Sequence, residues 1–221
     1  MHTTHTTFQL AGLTVQRLDF QPHSVSPADL LVLPHAAQLN HAVPTRQAEH
    51  LAGRLAAAIA LRDAGAQATI PGIGAHREPL WPAGFIGSIS HFQHTALAVA
   101  ARQRTSLSLV GIDGEALLDA ASAQEIVDEA LNPNEHAALR ASGLPLALAV
   151  TLIFSAKESL FKALFPQAGD WFGFDAASAV VLSAERFSLR LNYPVGAFPA
   201  GACFEVHALC SEAHLVTLVR G

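Results

Sequence analysis

Lys157 and Lys162 are the only lysines among 221 residues, and both stand beside Glu158 in the apolar run TLIFSAKESLFKALFP (151–166). Two ammonium groups around one carboxylate suit either of two chemistries. One is a helical i,i+4 ion pair between Glu158 and Lys162, worth about a few tenths of a kcal/mol. The other is a site that holds a polyanion. At about 100° per residue, Phe154, Glu158, Phe161 and Phe165 share one side of the helix, and Ser155, Ser159 and Ala163 read as its wet face. A carboxylate within an apolar stripe needs a cation or several donors to meet it.

About 40 residues earlier lies GIDGE (111–115). On a strand, Asp113 and Glu115 share a face with their carbons about 6.5–7 Å apart. Either the strand ends in a solvated turn at Gly114, or the two acids hold a hard cation that prefers carboxylate oxygens and leaves room for water and phosphate. With Glu158 as a third acid, a Mg²⁺ site is the sharper reading.

Cations that could meet phosphate are few. Arg46, His50 and Arg54 recur along one predicted helix, and Arg77 lies in a Gly/Pro-rich stretch whose backbone amides could also face an anion. GSISH sets Ser88 and Ser90 on one side of a strand and His91 on the other. His91 and His94 without cysteines or further ligands do not make a zinc site, and PGIGAH lacks the context of a dinucleotide fingerprint. Glu135 in LNPNEH is a further acid, placed where it would cap a helix.

The elements that must carry these residues follow from pattern. FQLAGLTVQRLDF (8–20) reads as a strand, 21–44 as irregular, and 46–65 as a helix capped by Thr45 and stopped by Gly65, with Leu51, Leu55, Ile59 and Arg62 at helical spacing. FIGSISH and TALAVAA read as strands, and SLSLVGIDGE (106–115) as another. Ser122 and Glu125 form a capping-box pattern, and Asn132, Pro133 and Glu135 open a helix that Gly143 ends. A long helix spans about Pro145 to Phe165, with Pro166 stopping it. AVVLSAE, RFSLRLN, CFEVHAL and HLVTLVR then alternate as strands. Helix followed by antiparallel-type strands, twice, predicts an α+β fold of two similar lobes, residues 1–108 and 109–221.

Composition excludes several classes. Apolar residues are 51% and charged ones 14% of the chain, which excludes disorder. A net charge of −5 argues against nucleic acid as a partner. No apolar run reaches the roughly 18–20 residues of a membrane span, and MHTTHTTFQL lacks the cationic start of a signal peptide and reads as a frayed terminus. Cys203 and Cys210 imply no disulfide framework. The expectation is a cytoplasmic protein with no membrane partner.

Taken in order, AGR (52–54), REPLWPAGFIGSISH (77–91), VGIDGE (110–115) and FSAKESLFKALFP (154–166) resemble the 4′-phosphopantetheinyl transferases of the enterobactin-synthetase and surfactin-synthetase type. The resemblance spans residues 46–166. It implies a pseudo-twofold pair of α+β lobes with coenzyme A in the cleft between them. It also implies transfer of the phosphopantetheine arm of coenzyme A to a serine of an apo carrier protein, with release of adenosine 3′,5′-bisphosphate. Carried over by motif, Asp113, Glu115 and Glu158 correspond to Mg²⁺ ligands, and Lys157 and Lys162 to the family's coenzyme A-binding lysines at this helix, of which Lys162 reaches the phosphates. Arg46, Arg54, Arg77, Ser90 and His91 fall to the nucleotide end, and Glu158 or Glu135 to the base that deprotonates the carrier serine. Gly114 and Phe92 depart from the family's usual residues without removing a ligand. Two lobes in one chain make a monomer sufficient. The alternatives are a Mg²⁺-dependent nucleotide phosphohydrolase and a non-catalytic coenzyme A- or carrier-binding homologue.

Overall fold

The computed structural model describes residues 1–67 and 69–221, and the side chains of all these except 128–130. It divides into two compact α+β units, Met1–Ser108 and Leu109–Gly221.

The first unit opens with a hairpin, β1 (Thr3–Leu10) and β2 (Leu13–Phe20). The sequence 8–20 therefore holds the end of one strand and all of the next rather than a single strand, because Ala11 and Gly12 turn the chain with φ of 52° and 74°. A two-residue turn of this hand matches strand twist, and glycine takes it without a Cβ penalty. The expected frayed terminus is instead strand: the Met1 ammonium lies 2.8 Å from Asp29 Oδ2, and His5 Nε2 meets Gln16 Oε1 at 2.7 Å.

A short helix, α1 (Pro27–Leu30), precedes α2 (Pro44–Asp63). Helix α2 starts one residue before Thr45, with Pro44 in its first turn and Val43 as its cap. Alanines 48, 52, 56, 57 and 60, with Leu51 and Leu61, form its buried side. Leu55 and Ile59 are only half-buried and Arg62 is exposed, because small residues let the helix approach the sheet more closely than a leucine stripe would. After the small β3 (Gly72–Ile73) and β4 (Pro79–Leu80) come β5 (Phe85–Phe92) and β6 (Thr95–Arg102). The antiparallel sheet runs β1-β2-β6-β5, and α2 packs on β2, β6 and β5. A Cβ on Gly53 would come within 2.9 Å of the Ile89 side chain, so the glycine of AGR is what lets α2 lie against β5.

The second unit contains β7 (Val110–Ala116), α3 (Ala120–Ala130), α4 (Pro133–Ser142), α5 (Leu146–Ala168), β8 (Ala177–Ala179), β9 (Arg186–Leu191), β10 (Cys203–Cys210) and β11 (His214–Arg220). Its sheet order is β7-β11-β10-β9-β8. Strand β7 begins four residues later than the pattern predicted. The strand expected at AVVLSAE (179–185) is not formed beyond its first residue: β8 ends at Ala179, and Val180 and Val181 are exposed. The cap of α3 is Asp119, whose carboxylate accepts the Ser122 N–H at 2.8 Å, in place of the Ser122/Glu125 box. Helix α4 starts and stops as its sequence predicts, at Asn132 and at Gly143 in the left-handed region.

Helix α5 corrects two expectations. Pro166 lies inside its last turn and Gly169 ends it, with the Gly169 N–H donating to the Phe165 carbonyl at 3.1 Å. One missing bond a turn from the end does not break a helix held by packing. More important, the face read as wet is the buried one: Ser155 and Ser159 are fully buried and Ala163 nearly so. A Cβ on Gly111 of β7 would lie 1.9 Å from the Ser159 carbonyl oxygen. The small residues mark backbone contact with the sheet, and the hydroxyls are spent on buried partners. Leu152, Ile153, Leu160 and Leu164 complete this core. No helix among the described residues is long and apolar enough to cross a membrane.

Candidate active site

In the second unit, the buried face of α5 fixes the acids of β7. Ser155 Oγ donates to Asp113 Oδ2 at 2.8 Å and lies 2.9 Å from the Thr217 hydroxyl, which is in turn 2.7 Å from Ser159 Oγ. Asp113 is 3% exposed, and its Oδ1 accepts from Lys162 Nζ at 2.6 Å. Lys162 therefore pairs with Asp113 across to β7. Glu115, two residues along the same strand, is half-buried. Burial, aided by the charges of Asp113 and Glu158 and opposed by Lys162, pushes its carboxyl up to about 7. Burial also raises the Glu158 carboxyl, with Lys162 lowering it and Asp113 raising it. Three carboxylates thus share one neighbourhood, with Lys162 as the cation that acts on them.

Among the described residues, no three or more His, Cys, Asp or Glu side chains converge closely enough to cage a metal ion. The donor chemistry nevertheless suits Mg²⁺, which takes one or two carboxylates and completes its shell with water and substrate phosphate. The carboxyls of Glu115 and Glu158 are raised first by burial and then by neighbouring acids, a cost of carrying negative charge that a hard cation would relieve.

The two lysines differ in setting. The Lys162 side chain is 26% exposed and that of Lys157 only 4%. Lys157 Nζ is held by both oxygens of Glu135, at 2.8 and 2.9 Å. Beside Lys157 and Glu158 opens a cavity of about 140 Å³, walled by Phe161, Trp171, Phe172, Gly173 and Phe174. Phe154 stacks on Phe174 at 5.1 Å, and Phe161 contacts Trp171 at 4.5 Å. The phenylalanine side of α5 is thus the accessible side, and Glu158 and Lys162 open from it.

In the first unit, α2 and β5 bring Arg46 and His91 together, with Arg46 Nη1 2.7 Å from His91 Nε2. Glu49 accepts from Arg46 at 3.2 Å. Arg54 is 4% exposed, and its Nε is buried without a partner. Burial, then the charge of Arg46, lowers its guanidinium to about 10. His50 Nε2 meets His35 Nε2 at 2.7 Å; burial, then Arg54, drives His50 down to about 3, so it stays neutral. A buried guanidinium with an unpaired donor is costly unless an anion completes it. Ser90 is buried on β5. Arg77 stands apart, exposed at φ 67° in the turn between β3 and β4.

Sequence reasoning missed Thr217, the aromatic wall 171–174 and the His35–His50 pair. The signal for the first was available in Ser155 and Ser159, four residues apart on one face with Ala163. For the second it was the Trp-Phe-Gly-Phe run just after α5.

Residues 34–101 match the 4′-phosphopantetheinyl transferase N-terminal domain, and residues 109–219 match the 4′-phosphopantetheinyl transferase superfamily. Enterobactin synthase component D of Salmonella typhimurium is 45% identical over 219 residues, covering 99% of this chain and 91% of the relative. The protein of the same name in Escherichia coli K12 is 49% identical over 163 residues, 74% of this chain and 76% of its own. The 4′-phosphopantetheinyl transferase Npt of Nocardia iowensis is 32% identical over 165 residues, 71% and 72% of the two chains. The chain belongs to the 4′-phosphopantetheinyl transferase superfamily, the enzymes that move the phosphopantetheine arm of coenzyme A onto an apo carrier protein.

Proposed function

We propose that the acids and lysines gathered by α5 and β7 carry out this transfer as a Mg²⁺-dependent reaction. The observation that carries the reading is the set of coupled carboxylates Asp113, Glu115 and Glu158 beside Lys162. Those three acids would hold the Mg²⁺, which when bound supplies charge stabilisation at the pyrophosphate and at the leaving phosphate.

The chain's own residues do the rest. Lys162, the accessible lysine, meets the pyrophosphate, and Lys157 contributes from the buried side. Arg46, Arg54, Ser90 and His91 take the 3′-phosphoadenosine end, where the unpaired Arg54 donor calls for an anion. Arg77, which stands apart from this cluster as an exposed cation, takes the same end of the ligand from the β3–β4 turn. The aromatic cavity beside Lys157 and Glu158 receives the amide-bearing arm, whose length is mostly apolar and whose carbonyls can accept from Lys157. Trp171, 71% exposed, forms the outer wall.

The carrier serine attacks the β-phosphorus of coenzyme A. Its O–P bond forms as the bond to the bridging oxygen of adenosine 3′,5′-bisphosphate breaks. Glu158 takes the serine proton, because it opens from the accessible side of α5 and burial raises its basicity toward the working range. One chain carries all these groups, so we assign the activity to a monomer acting in the cytoplasm.

The test is incubation of the protein with coenzyme A, Mg²⁺ and several apo carrier proteins, followed by intact mass. A gain of one phosphopantetheine arm with equimolar adenosine 3′,5′-bisphosphate is expected. Nucleotide release without any carrier would point to a phosphohydrolase instead.

A further inference from the structure

Glu135 sits at the start of α4 with no exposed surface. Its Oε1 lies 2.8 Å from Lys157 Nζ in an ion pair and accepts from the Ala179 N–H at 3.2 Å. Its Oε2 accepts from Lys157 Nζ at 2.9 Å and from the Asn132 N–H at 3.2 Å. A carboxylate offers about four acceptor positions, and four contacts occupy them. A base must present a lone pair to the incoming hydroxyl, and Glu135 has neither the lone pair nor the access.

We propose that Glu135 is a positioning residue for Lys157, acting on coenzyme A through that lysine alone. The inference rests on reading the aromatic cavity as part of the coenzyme A site. Lys157 has three ammonium protons; among the described residues its one hydrogen-bond acceptor is Glu135, whose two oxygens both lie within 2.9 Å of Nζ, so donor capacity is left over. Lys157 lines the cavity next to Glu158, so that capacity remains for a ligand oxygen there. An ammonium 5% exposed is held in place only while its counter-charge is present.

The frame around the pair also reaches the cavity wall. Asn132 caps α4 by accepting from the Asn134 and Glu135 N–H groups, at 3.0 and 3.1 Å. Its amide donates to Ser178 Oγ at 2.7 Å, Ser178 donates to Asn192 Oδ1 at 2.9 Å, and Asn192 donates to the Asp175 carbonyl at 2.7 Å. Asp175 follows Phe174, which stacks on Phe154 beside the cavity. One network therefore fixes both the polar end and an aromatic wall of the same pocket.

The experiment measures coenzyme A affinity by titration calorimetry, and turnover in parallel, for Glu135→Gln, Lys157→Met and the double variant. Losing a charge-assisted bond should weaken coenzyme A binding about tenfold to a hundredfold in either single variant. The double variant should lose no more than either single one, since both changes remove the same contact. Wild-type affinity with abolished turnover in Glu135→Gln would make Glu135 the base and overturn the proposal. Additive losses, or a lower melting temperature with affinity intact, would overturn it as well. Should Glu135→Gln fail to fold, Glu135→Met with Lys157→Met replaces the buried pair by apolar side chains of similar volume, a change that commonly preserves folding. That folded protein binding coenzyme A as tightly as wild type would also refute the assignment. Absence of coenzyme A binding by the wild-type protein would sink the underlying reading of the cavity, and the positioning role with it.

Discussion

Replacing Glu115 by Gln tests the cost of keeping this carboxylate charged in the fold, which burial causes first and the charges of Asp113 and Glu158 increase. Free glutamate titrates near 4.5 and Glu115 in the fold near 7, so the fold prefers the protonated form. The resulting penalty is absent below pH 4.5, grows between 4.5 and 7, and is complete above 7. At 1.36 kcal/mol per unit, the difference is about 3 kcal/mol, which partial exposure reduces to about 1–2 kcal/mol. Gln mimics the protonated acid. In buffer free of divalent ions, Glu115→Gln should therefore be more stable than wild type by about 1–2 kcal/mol at pH 8, measured by urea unfolding, and the gap should close as pH falls toward 4.5. Adding Mg²⁺ at pH 8 should stabilise wild type more than the variant, narrowing or reversing the gap. A variant less stable at pH 8, or a gap independent of pH, would refute the cost assigned to the charged Glu115.

Other residues give sharp tests. Gly111→Ala would drive a Cβ to 1.9 Å from the Ser159 carbonyl, a backbone atom that cannot move alone. It should cost about 3 kcal/mol or more in unfolding free energy, or abolish folding; a loss below about 1 kcal/mol would contradict the close α5–β7 contact. Trp171→Ala removes an exposed ring, so the melting temperature should hold while affinity for coenzyme A falls about tenfold. Its affinity for adenosine 3′,5′-bisphosphate, which lacks the arm, should stay at the wild-type value; equal losses for both ligands would remove the arm from the cavity. Asp113→Asn keeps the shape that Ser155 and Lys162 grip but not the charge, and should retain the fold with turnover lost. Near-normal turnover would eliminate Asp113 as a ligand.

The acids and lysines were legible because their residue types are scarce: two lysines, one D-x-E pair and one further glutamate stand out in a chain that is 14% charged. The polarity of the faces of α5 was not. Ser155 and Ser159 look hydrophilic in isolation, yet each is buried because Thr217 and Asp113 supply partners that lie 42 to 62 residues away. Local periodicity carries no record of such partners, and the same gap hid the role of Glu135. Its helix-capping position could be read from Asn132, Pro133 and spacing, whereas its grip on Lys157 depends on how α4 and α5 pack. The hairpin turn at Ala11–Gly12 was missed for a different reason: Ala in a left-handed conformation is rare.

The claim at the centre of this account is that Glu158 accepts the carrier serine's proton beside Asp113 and Glu115. The most direct measurement is single-turnover formation of holo-carrier by Glu158→Gln, followed by intact mass with coenzyme A and Mg²⁺ saturating and the fold checked by thermal melting. The rate should fall by about 10²–10⁴-fold. A folded Glu158→Gln protein that modifies the carrier at a rate near wild type would contradict it.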